Sequence, residues 1–458
     1  MTNRCLVEEK QLPNTESGNK LSTKLKRLAE IARQEPTTKF TSLAHLLDEE
    51  CLKESYRELN RDAAIGIDHI SYEEYGVDLT ANISGLVKRL KNKSYKAIDI
   101  RRVLIPKPEG GERALGILVL EDKIVQKAVA KILNAIYEQD FLEVSYGFRL
   151  NKNCHDALKA LELAVIKGGI NYILDIDIRG YFDNMNHKWL MRMLRERIVD
   201  QTVLRLIGKW LRVGIVAEGK RIRNKLGVPQ GGTISPILSN IYLHYVVDLW
   251  IKKSVAQAIS GRIYLIRYCD DFVIGCTGKQ TAEDIWDKLP CRLIKFGLEL
   301  SKEKCRLIEF GRRAYYQSKG GKKKLNTFDF LGFTHYMARS RRGGVKLSRK
   351  TIGRRMRKTL IVMNNKLREK RNLLPFRKLH TYLCRILNGY YNYYGFAGNL
   401  ATLRRFEYAI RRMWYKWLNR RSHRKSFNWD QYIELLNRYP LPQPKILKGY
   451  NWIYSTNL

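Results

Sequence analysis

The spacing of hydrophobic residues predicts a mixture of helices and strands. Residues 21–60 place leucine and isoleucine on recurring helical faces, and this pattern breaks at residues 66–68 (GID). Residues 101–106 (RRVLIP) have the pattern of a strand, and the KPEGGER that follows predicts a glycine-rich turn. Residues 120–138 repeat every 3.6 residues and predict an amphipathic helix. Its in-line positions are Ile124, Ala128, Ile132 and Ile136.

Three further segments follow in order, and each turns or ends at polar residues. NYILDIDIRGYFDNMNH is an apolar strand that ends in acids and a turn. KLGVPQGGTISPILSNIYL is a Gly/Pro loop that leads into a helix, and IYLIRYCDDFVIG has the pattern of a hairpin with a Tyr-Cys-Asp-Asp apex. Because strands and helices alternate without a regular βαβ rhythm, we expect an α+β fold with a palm-like sheet backed by helices.

The chain is strongly basic, with 85 Lys and Arg against 45 Asp and Glu in 458 residues, a formal charge of +40. This charge predicts a polyanionic partner, either nucleic acid or an anionic membrane surface. No apolar run is long enough to span a bilayer and no amphipathic anchor is evident, so we favour nucleic acid. The first residues have neither a signal-peptide core nor transit-peptide character, so we expect a cytoplasmic, nucleoid-associated protein.

Over half of the surplus charge lies in residues 341–430, which follow a Gly-, Lys- and Arg-rich boundary at 311–326 and contain 25 Lys and Arg but 3 Asp and Glu. A solvated basic surface is one interpretation. Binding of a phosphate backbone is the one we favour, because this charge density repels itself without an anion. The interleaved aromatic residues would pack the helices or stack on bases. They are Tyr390, Tyr391, Tyr393, Tyr394, Trp414 and Trp417.

The eight cysteines are scattered and include no CxxC pair. We therefore expect free or buried thiols in place of disulfides or a cysteine-based zinc module.

Carboxylates stand at the ends of the predicted apolar strands. Asp177 ends one strand, and Asp270 and Asp271 form the apex of the hairpin. Buried strand ends tolerate carboxylates poorly unless a metal or cation balances them. Side by side, the two strands would bring Asp177 and Asp270 within reach of two divalent ions, for which Mg²⁺ is suited by its preference for carboxylate and phosphate oxygens. A pair of aspartates in an ordinary turn is the alternative, and spacing alone does not decide between them.

Seven ordered blocks between about residues 50 and 448 resemble one family, the group II intron reverse transcriptase/maturases. RYCDDFVIG resembles the YxDD box of reverse transcriptases, DIDIRGYFDNMNH resembles their first carboxylate motif, and GVPQGGTISPILSNIYL resembles the motif between them. The other blocks are IPKPEGGERALGI, SYGFRLNKNCHDAL, GLELSKEKCRLIEF with FLGF, and the stretch from NGYYNYYG through WLNRRSHRKSFNWDQYIELL to PLPQPKI.

The resemblance implies a right-hand polymerase with fingers, palm, an α-helical thumb (the maturase, or X, domain) and a basic helical DNA-binding segment. The corresponding ranges are an N-terminal helical extension at 1–48, fingers and palm at 49–320, thumb at 321–400 and DNA-binding segment at 401–458. The cations that we expect to contact nucleic acid are Arg354, Arg355, Arg357, Lys358, Arg411, Arg412, Lys416, Arg420 and Arg421.

The resemblance also implies roles for residues near the carboxylates. Asp177, Asp270 and Asp271 would be the catalytic residues that hold two Mg²⁺ ions. Phe182 would be a steric gate against a 2′-hydroxyl, although a buried core phenylalanine is the rival interpretation. Gln230 would lie beside the incoming nucleotide, and Gly231 and Gly232 would let the backbone approach the nucleic acid closely.

The dNTP triphosphate would be clamped by Lys107 and Arg113, because phosphate needs fixed cations and arginine binds it bidentately. Arg101 is expected to join them. Lys304 matches a lysine that would donate a proton to the leaving pyrophosphate.

Some positions depart from the family. The box is YCDD in place of the usual YADD, and Cys269 is only slightly larger than alanine, so we expect activity to survive. The fingers block has RALGIL where the family has RPLGIP, and Lys123 stands where arginine is common. After residue 385 the chain has no cysteine and one histidine, His423, so we expect no HNH nuclease and a DNA primer from another source.

The function implied is an RNA-directed DNA polymerase that binds its group II intron RNA, promotes splicing and supports intron mobility by target-primed reverse transcription. Its partners would be intron RNA, target DNA and primer. The alternatives are a domesticated relative in phage defence or a CRISPR locus, which usually lacks the C-terminal block, and a splicing cofactor that no longer polymerises.

Overall fold

The structure is a computed structural model, and it describes residues 16–106, 111–217, 220–222, 226–258, 260–318, 324–340, 343–421 and 427–447. The chain divides into two compact units. The first unit comprises Gln11–Ala164 and Tyr172–Ile308, and the second includes Val165–Asn171 and the chain from Glu309 onward.

The elements follow in chain order. The helices are α1 (Glu16–Gln34), α2 (Glu49–Arg57), α3 (Tyr72–Val77), α4 (Leu79–Lys91), α5 (Leu120–Tyr137), α6 (Cys154–Ile166), α7 (Tyr181–Asn184), α8 (His187–Arg195), α9 (Gln201–Arg212), α10 (Ser235–Leu243), α11 (Ala256–Ala258), α12 (Lys279–Lys295), α13 (Arg312–Gln317), α14 (Gly353–Lys370), α15 (Phe376–Tyr394), α16 (Leu400–Leu418) and α17 (Trp429–Arg438). The strands are β1 (Ile100–Pro106), β2 (Glu112–Ile117), β3 (Tyr172–Asp177), β4 (Ile215–Ala217), β5 (Lys220–Ile222), β6 (Ile263–Tyr268), β7 (Asp271–Cys276), β8 (Arg306–Glu309), β9 (Phe328–Phe330), β10 (Phe333–Arg339) and β11 (Val345–Thr351).

Two four-stranded sheets organise the first unit, with strand orders β2-β1-β4-β5 and β6-β7-β3-β8. The predicted strand at 101–106 is confirmed by β1, and the predicted hairpin is confirmed by the antiparallel pair β6–β7. The helix predicted over 120–138 is α5, whose four in-line positions are fully buried. The predicted Gly/Pro loop leads into α10, which continues as the π-helical segments His244–Asp248 and Trp250–Val255.

The helical prediction over 21–60 holds only in two pieces. α1 ends at Gln34, because Pro36 disfavours helical geometry at the residue before it. α2 begins after Asp48, whose side chain accepts a hydrogen bond from the Cys51 amide at 2.9 Å. Leu28 of α1 belongs to the same core as α5, so α1 is an integral layer of the first unit.

The second unit departs from the all-helical thumb expected over 321–400. It contains the antiparallel sheet β11-β10-β9 ahead of its long helices. The strand period of two is present in β10, where Phe333, His335 and Met337 are buried and alternate with more exposed residues. β11 hides the same period, because two polar residues, Ser348 and Arg349, are buried between Leu347 and Thr351.

Helices α14–α17 share one hydrophobic core. Leu383 of α15, Ile410 of α16 and Tyr432 of α17 are fully buried in it. The predicted border between thumb and DNA-binding segment at residue 400 therefore falls inside a single packed core.

The aromatic residues of the basic region mostly pack the helices. Tyr390, Tyr391, Trp414 and Trp417 are buried in the core of the second unit. Tyr393 is half-buried and its hydroxyl donates to the Leu331 carbonyl at 2.8 Å. Of the two roles considered, packing is the one that these residues have.

The cysteines behave as expected. All seven that the structure describes are free thiols, and five of them are buried. Among the described helices, none combines the length and apolar character that a membrane crossing requires.

Candidate functional site

The three predicted carboxylates meet at one edge of the sheet β6-β7-β3-β8. Asp177 is the last residue of β3 and lies directly opposite Asp271, the first residue of β7. Asp270 lies in the two-residue turn between β6 and β7. Residues directly opposite in an antiparallel pair share a face with Cβ atoms about 4.5–5.5 Å apart. The register therefore sets Asp177 opposite Asp271, with Asp270 in the adjoining turn.

The electrostatics of this edge call for a cation. Burial raises the pKa of Asp270, and the negative charge of Asp177 adds to the rise. Hydrogen bonds at Asp270 and Cys269 and the charge of Arg113 oppose it. Lys304 Nζ lies 3.4 Å from Asp177 Oδ2, and both side chains are well exposed. A divalent ion would favour the ionised form of all three carboxylates.

The donor set suits a hard divalent cation. The three aspartates offer only oxygen ligands, which Mg²⁺ prefers. As the side chains stand, no three His, Cys, Asp or Glu residues within the described ranges already surround a common point as metal ligands. The carboxylates thus fit the ion chemically, and their side chains would move closer together when the ion binds.

The PQGG loop is anchored beside this edge. The Val228 amide donates to the Phe182 carbonyl at 2.7 Å, and the Gly116 amide of β2 donates to the Gln230 carbonyl at 2.7 Å. Gly231 has φ +108°, and a Cβ there would lie 2.8 Å from the Gly116 carbonyl oxygen, so only glycine fits. The loop connects Phe182 and Gln230 to the strand that carries Arg113.

Phe182 packs partly against the core of the first unit, and its ring lies 5.2 Å from that of Tyr181 in an edge-to-face contact. The position is compatible with both interpretations of this residue, since the side chain is only half-buried.

The predicted triphosphate clamp is brought together only in part. Arg113 is exposed on β2, and its positive charge acts to lower the pKa of Asp270. Arg101 instead donates from Nη2 to the Ile65 carbonyl at 2.6 Å. It lies four residues along β1 from Ile105, the partner of Arg113, which is about 13 Å at the rise of a strand. The structure therefore gives Arg101 a bond to the 60–70 loop. Lys107 lies outside the described residues.

A buried polar network lies behind the β6–β7 turn and was not predicted from the sequence. Arg267 of β6 is fully buried, and its Nε and Nη2 donate to the two oxygens of Asp248 at 2.7 and 2.5 Å. Its Nη1 donates to the Cys269 carbonyl in the turn and to Asn240 Oδ1, both at 3.1 Å. Asn240 in turn donates to the Gly147 carbonyl at 2.7 Å. The one signal in the sequence was an arginine inside the apolar run IYLIRY.

Within this network the positive charge of Arg267 is paired with the negative charge of Asp248. Burial lowers the pKa of the nearby His244 to about 4, although Asp248 favours its charged form, so the imidazole is neutral at pH 7. Arg267 thus balances Asp248 and fixes the Cys269 carbonyl at the same time.

Cys269 is accommodated in the turn without an unsatisfied group. Its Sγ lies 3.2 Å from Ser239 Oγ, and burial raises the pKa of the thiol to about 12. Gly147 packs against it so closely that a Cβ there would lie 2.5 Å from the Cys269 amide nitrogen.

A second charged feature lies on α16. Every fourth residue from Arg404 is exposed as far as Arg420, which lies two residues beyond the end of α16, and we call these five the α16 row. They are Arg404, Tyr408, Arg412, Lys416 and Arg420. Tyr408 is 60% exposed, and the Arg412 guanidinium lies 6.0 Å from its ring centre. Three of these cations were predicted from the sequence, whereas Arg404 and the exposed tyrosine were not.

The other predicted nucleic-acid cations differ in their surroundings. Arg354, Arg355 and Arg357 are exposed on the first turns of α14, followed by the half-buried Lys358. Arg411 pairs with Glu407, and Arg421 donates to the Leu374 carbonyl at 3.1 Å, so these two have structural bonds.

We predict that Arg267→Met destabilises the protein by about 3–5 kcal/mol, because it leaves the Asp248 carboxylate buried without a cation. The double variant Arg267→Met/Asp248→Leu should recover much of this loss, since both buried charges are gone. Chemical denaturation measures the difference. Lys279→Met, which removes an exposed partner of Glu283, is the matched control and should cost under about 1 kcal/mol. If the single and double variants are equally stable, Arg267 is not the cation that compensates the buried charge of Asp248.

Comparison with known proteins agrees with this geometry. A family model described as reverse transcriptase (RNA-dependent DNA polymerase) matches residues 105–335. The chain is 28% identical over 413 residues to the group II intron-encoded protein LtrA of Lactococcus lactis subsp. cremoris, covering 72% of this chain and 66% of LtrA. It is 30% identical over 365 residues to protein YkfC of Escherichia coli (strain K12), covering 71% and 91%.

A third relative is the uncharacterized 91 kDa protein in cob intron of Schizosaccharomyces pombe, 27% identical over 387 residues. The match covers 72% of this chain but 47% of that protein, so the chain spans about half the length of the yeast relative and just under two thirds of LtrA. The family match and these relatives establish that the chain belongs to the reverse transcriptases, RNA-dependent DNA polymerases, in the group II intron-encoded reverse transcriptase/maturase family.

Proposed function

We propose that this protein copies RNA into DNA and also binds a group II intron RNA to promote its splicing and mobility by target-primed reverse transcription. The observation that carries the polymerase half is the register that sets Asp177 opposite Asp271, with Asp270 in the adjoining turn. The relatives named for group II introns and the α16 row support the second half.

The three aspartates are the residues that would hold two Mg²⁺ ions. When bound, these ions supply the positive charge that an in-line phosphoryl transfer needs at the attacking and leaving oxygens. The chain itself contributes position: Arg267 fixes the Cys269 carbonyl, and the Ser301 amide donates to the Asp177 carbonyl at 2.9 Å. Both contacts hold the backbone from which the carboxylates project.

The dNTP would lie beside Arg113 of β2 and the PQGG loop. Arg113 and Lys107 would bind the triphosphate. Arg101 would join them only if its hydrogen bond to the Ile65 carbonyl breaks. Phe182 would exclude the 2′-hydroxyl of a ribonucleotide, and Gln230 would lie beside the base. Gly231 and Gly232 leave the loop without side chains, so nucleic acid can approach its backbone.

Lys304 would hold the proton for the leaving pyrophosphate at its Nζ. Its position 3.4 Å from Asp177 Oδ2 supports a place beside the reacting groups. In this scheme residues 49–320 form the fingers and palm, and the helices from residue 353 onward form the thumb and the nucleic-acid-binding surface.

We predict that the variant Asp270→Asn/Asp271→Asn loses primer extension on an RNA template by at least about a hundredfold, because two of the three metal-binding carboxylates become neutral. The assay contains dNTPs, Mg²⁺ and a primed RNA template. The same protein should still promote splicing of the intron RNA at low Mg²⁺, since the variant leaves the α16 row unchanged.

Asp287→Asn is the matched control, because Asp287 is an exposed aspartate on α12, and it should keep full extension. If the unmutated protein extends no primer on any template, the polymerase proposal fails and a splicing cofactor becomes the better account. If the double variant loses splicing as well, the two functions are not separable.

We further predict that Arg412→Gln/Lys416→Gln/Arg420→Gln weakens RNA binding and lowers the slope of log affinity against log salt by roughly 2 to 3. Each phosphate contact contributes about 0.7 to 0.9 to that slope through counterion release. Titration of the intron RNA at several salt concentrations measures it.

A control of equal charge neutralises Lys279, Lys288 and Lys295, which are exposed on α12. Its slope should stay within about one unit of the unmutated protein. The same reduction in both triple variants would show that net charge, and not the α16 row, governs binding.

A further inference from the structure

The segment before α6 presents an exposed phenylalanine on a strained backbone. Phe148 has φ +56°, and the residue is 57% exposed. Left-handed geometry is disfavoured for a residue with a bulky side chain, and an exposed ring regains little of that cost through burial. Within the part of the chain that the structure describes, no other phenylalanine, tyrosine or tryptophan has a positive φ. Residues kept in such conformations are commonly found at functional sites.

The backbone on either side of Phe148 is held by hydrogen bonds. The Gly147 carbonyl accepts from the Asn240 side chain at 2.7 Å. The buried Arg149 donates from Nη1 to the Ser145 carbonyl at 3.0 Å. Neither contact involves the side chain of Phe148, so the segment keeps its shape without the ring. The ring is thus presented to solvent at a fixed place.

This place is beside the turn between β6 and β7. The Phe148 ring centre lies 6.3 Å from that of Tyr268, which is the last residue of β6 and the partner of Asp271 in the hairpin. Gly147 lies against the Cys269 amide, where a Cβ would approach the nitrogen to 2.5 Å. Stacked base pairs lie about 3.4 Å apart, so a duplex whose primer ends at Asp271 would have its last base pairs within reach of this ring.

A phenylalanine ring has neither charge nor a hydrogen-bonding group, so its partners in nucleic acid are bases and sugars, not phosphates. An RNA–DNA duplex has A-form geometry, with a wide, shallow minor groove that displays base edges, and apolar side chains of minor-groove proteins lie against base steps there. We propose that Phe148 is a positioning residue for the primer end, with its ring against the minor-groove edge of the last base pairs of the RNA–DNA duplex. The inference rests on the polymerase function proposed above, because the ring would steer the primer 3′-hydroxyl toward the aspartates.

Phe148→Gly in the full chain tests the proposal, because glycine removes the ring and accepts the left-handed backbone without strain. The denaturation midpoint should stay the same or rise. At a salt concentration that screens phosphate contacts, the dissociation constant for a primed RNA template should rise roughly five- to a hundredfold, as expected for the loss of one base–aromatic contact. Affinity for unprimed RNA and the KM for dNTP should not change. Phe148→Tyr, which keeps the ring, should bind the primed template like the unmutated protein.

Asn151→Gly is the matched control, because Asn151 is exposed, has φ +57° and lies in the same segment. It adds a glycine without removing the ring, so primed-template affinity and primer extension should stay unchanged. The proposal is overturned if Phe148→Gly binds the primed template as tightly as the unmutated protein. It is also overturned if that variant has a lowered denaturation midpoint and loses affinity equally for primed and unprimed RNA, which would indicate a structural role. Failure of the unmutated protein to extend any primer would instead contradict the polymerase function on which the proposal rests.

Discussion

Two like charges held directly opposite each other, Asp177 on β3 and Asp271 on β7, constrain everything around them. Facing carboxylates destabilise a sheet unless a cation compensates, and Lys304 supplies one such cation, with its Nζ 3.4 Å from Asp177 Oδ2. The neighbouring elements serve that arrangement. β2 brings Arg113, whose charge favours ionised Asp270, and the PQGG loop fixes Phe182 beside the edge. Pairing on both sides of β7 keeps the aspartates in register.

The turn that carries Asp270 is held from behind by a second pair of charges. Arg267 and Asp248 are both buried, and one guanidinium spans an acid on the π-helical segment and the carbonyl of Cys269. A functional group is most effective when its supporting contacts are already formed, and a fully hydrogen-bonded arginine provides this. Because Asn240 and Gly147 extend the network, α10 and the chain around Gly147 are tied to the same turn.

The sequence predicted the parts of the fold whose hydrophobic period is clean. α5 and the β6–β7 hairpin have unbroken patterns, and the aspartates at the strand ends followed from them. The sheet β9–β11 was missed because polar residues, His335 and Arg349, occupy buried positions on its strands. The buried Arg349 makes a cation–π contact there, with its guanidinium 4.5 Å from the ring centre of Phe396. A pattern of hydrophobicity cannot anticipate a buried cation whose partner is distant in sequence.

The same limit applies to the surface residues. From the sequence, Tyr390 and Trp414 could either pack in the core or stack on bases. The fold shows that both are core residues, whereas Tyr408 is exposed. Arg101 belonged to a motif, yet its nearest acceptor is a backbone carbonyl in a loop 36 residues earlier. Charge counts located the basic region correctly, but the arrangement of its cations depends on helix packing that composition does not encode.

Whether the three aspartates hold metal ions can be measured with Mn²⁺ as a spectroscopic substitute for Mg²⁺. Electron paramagnetic resonance of the full chain with primed template would count bound ions in the unmutated protein and in Asp177→Asn. We expect two ions in the unmutated protein and loss of at least one in the variant. Equal ion binding by the two proteins would show that this edge of the sheet is not the metal site.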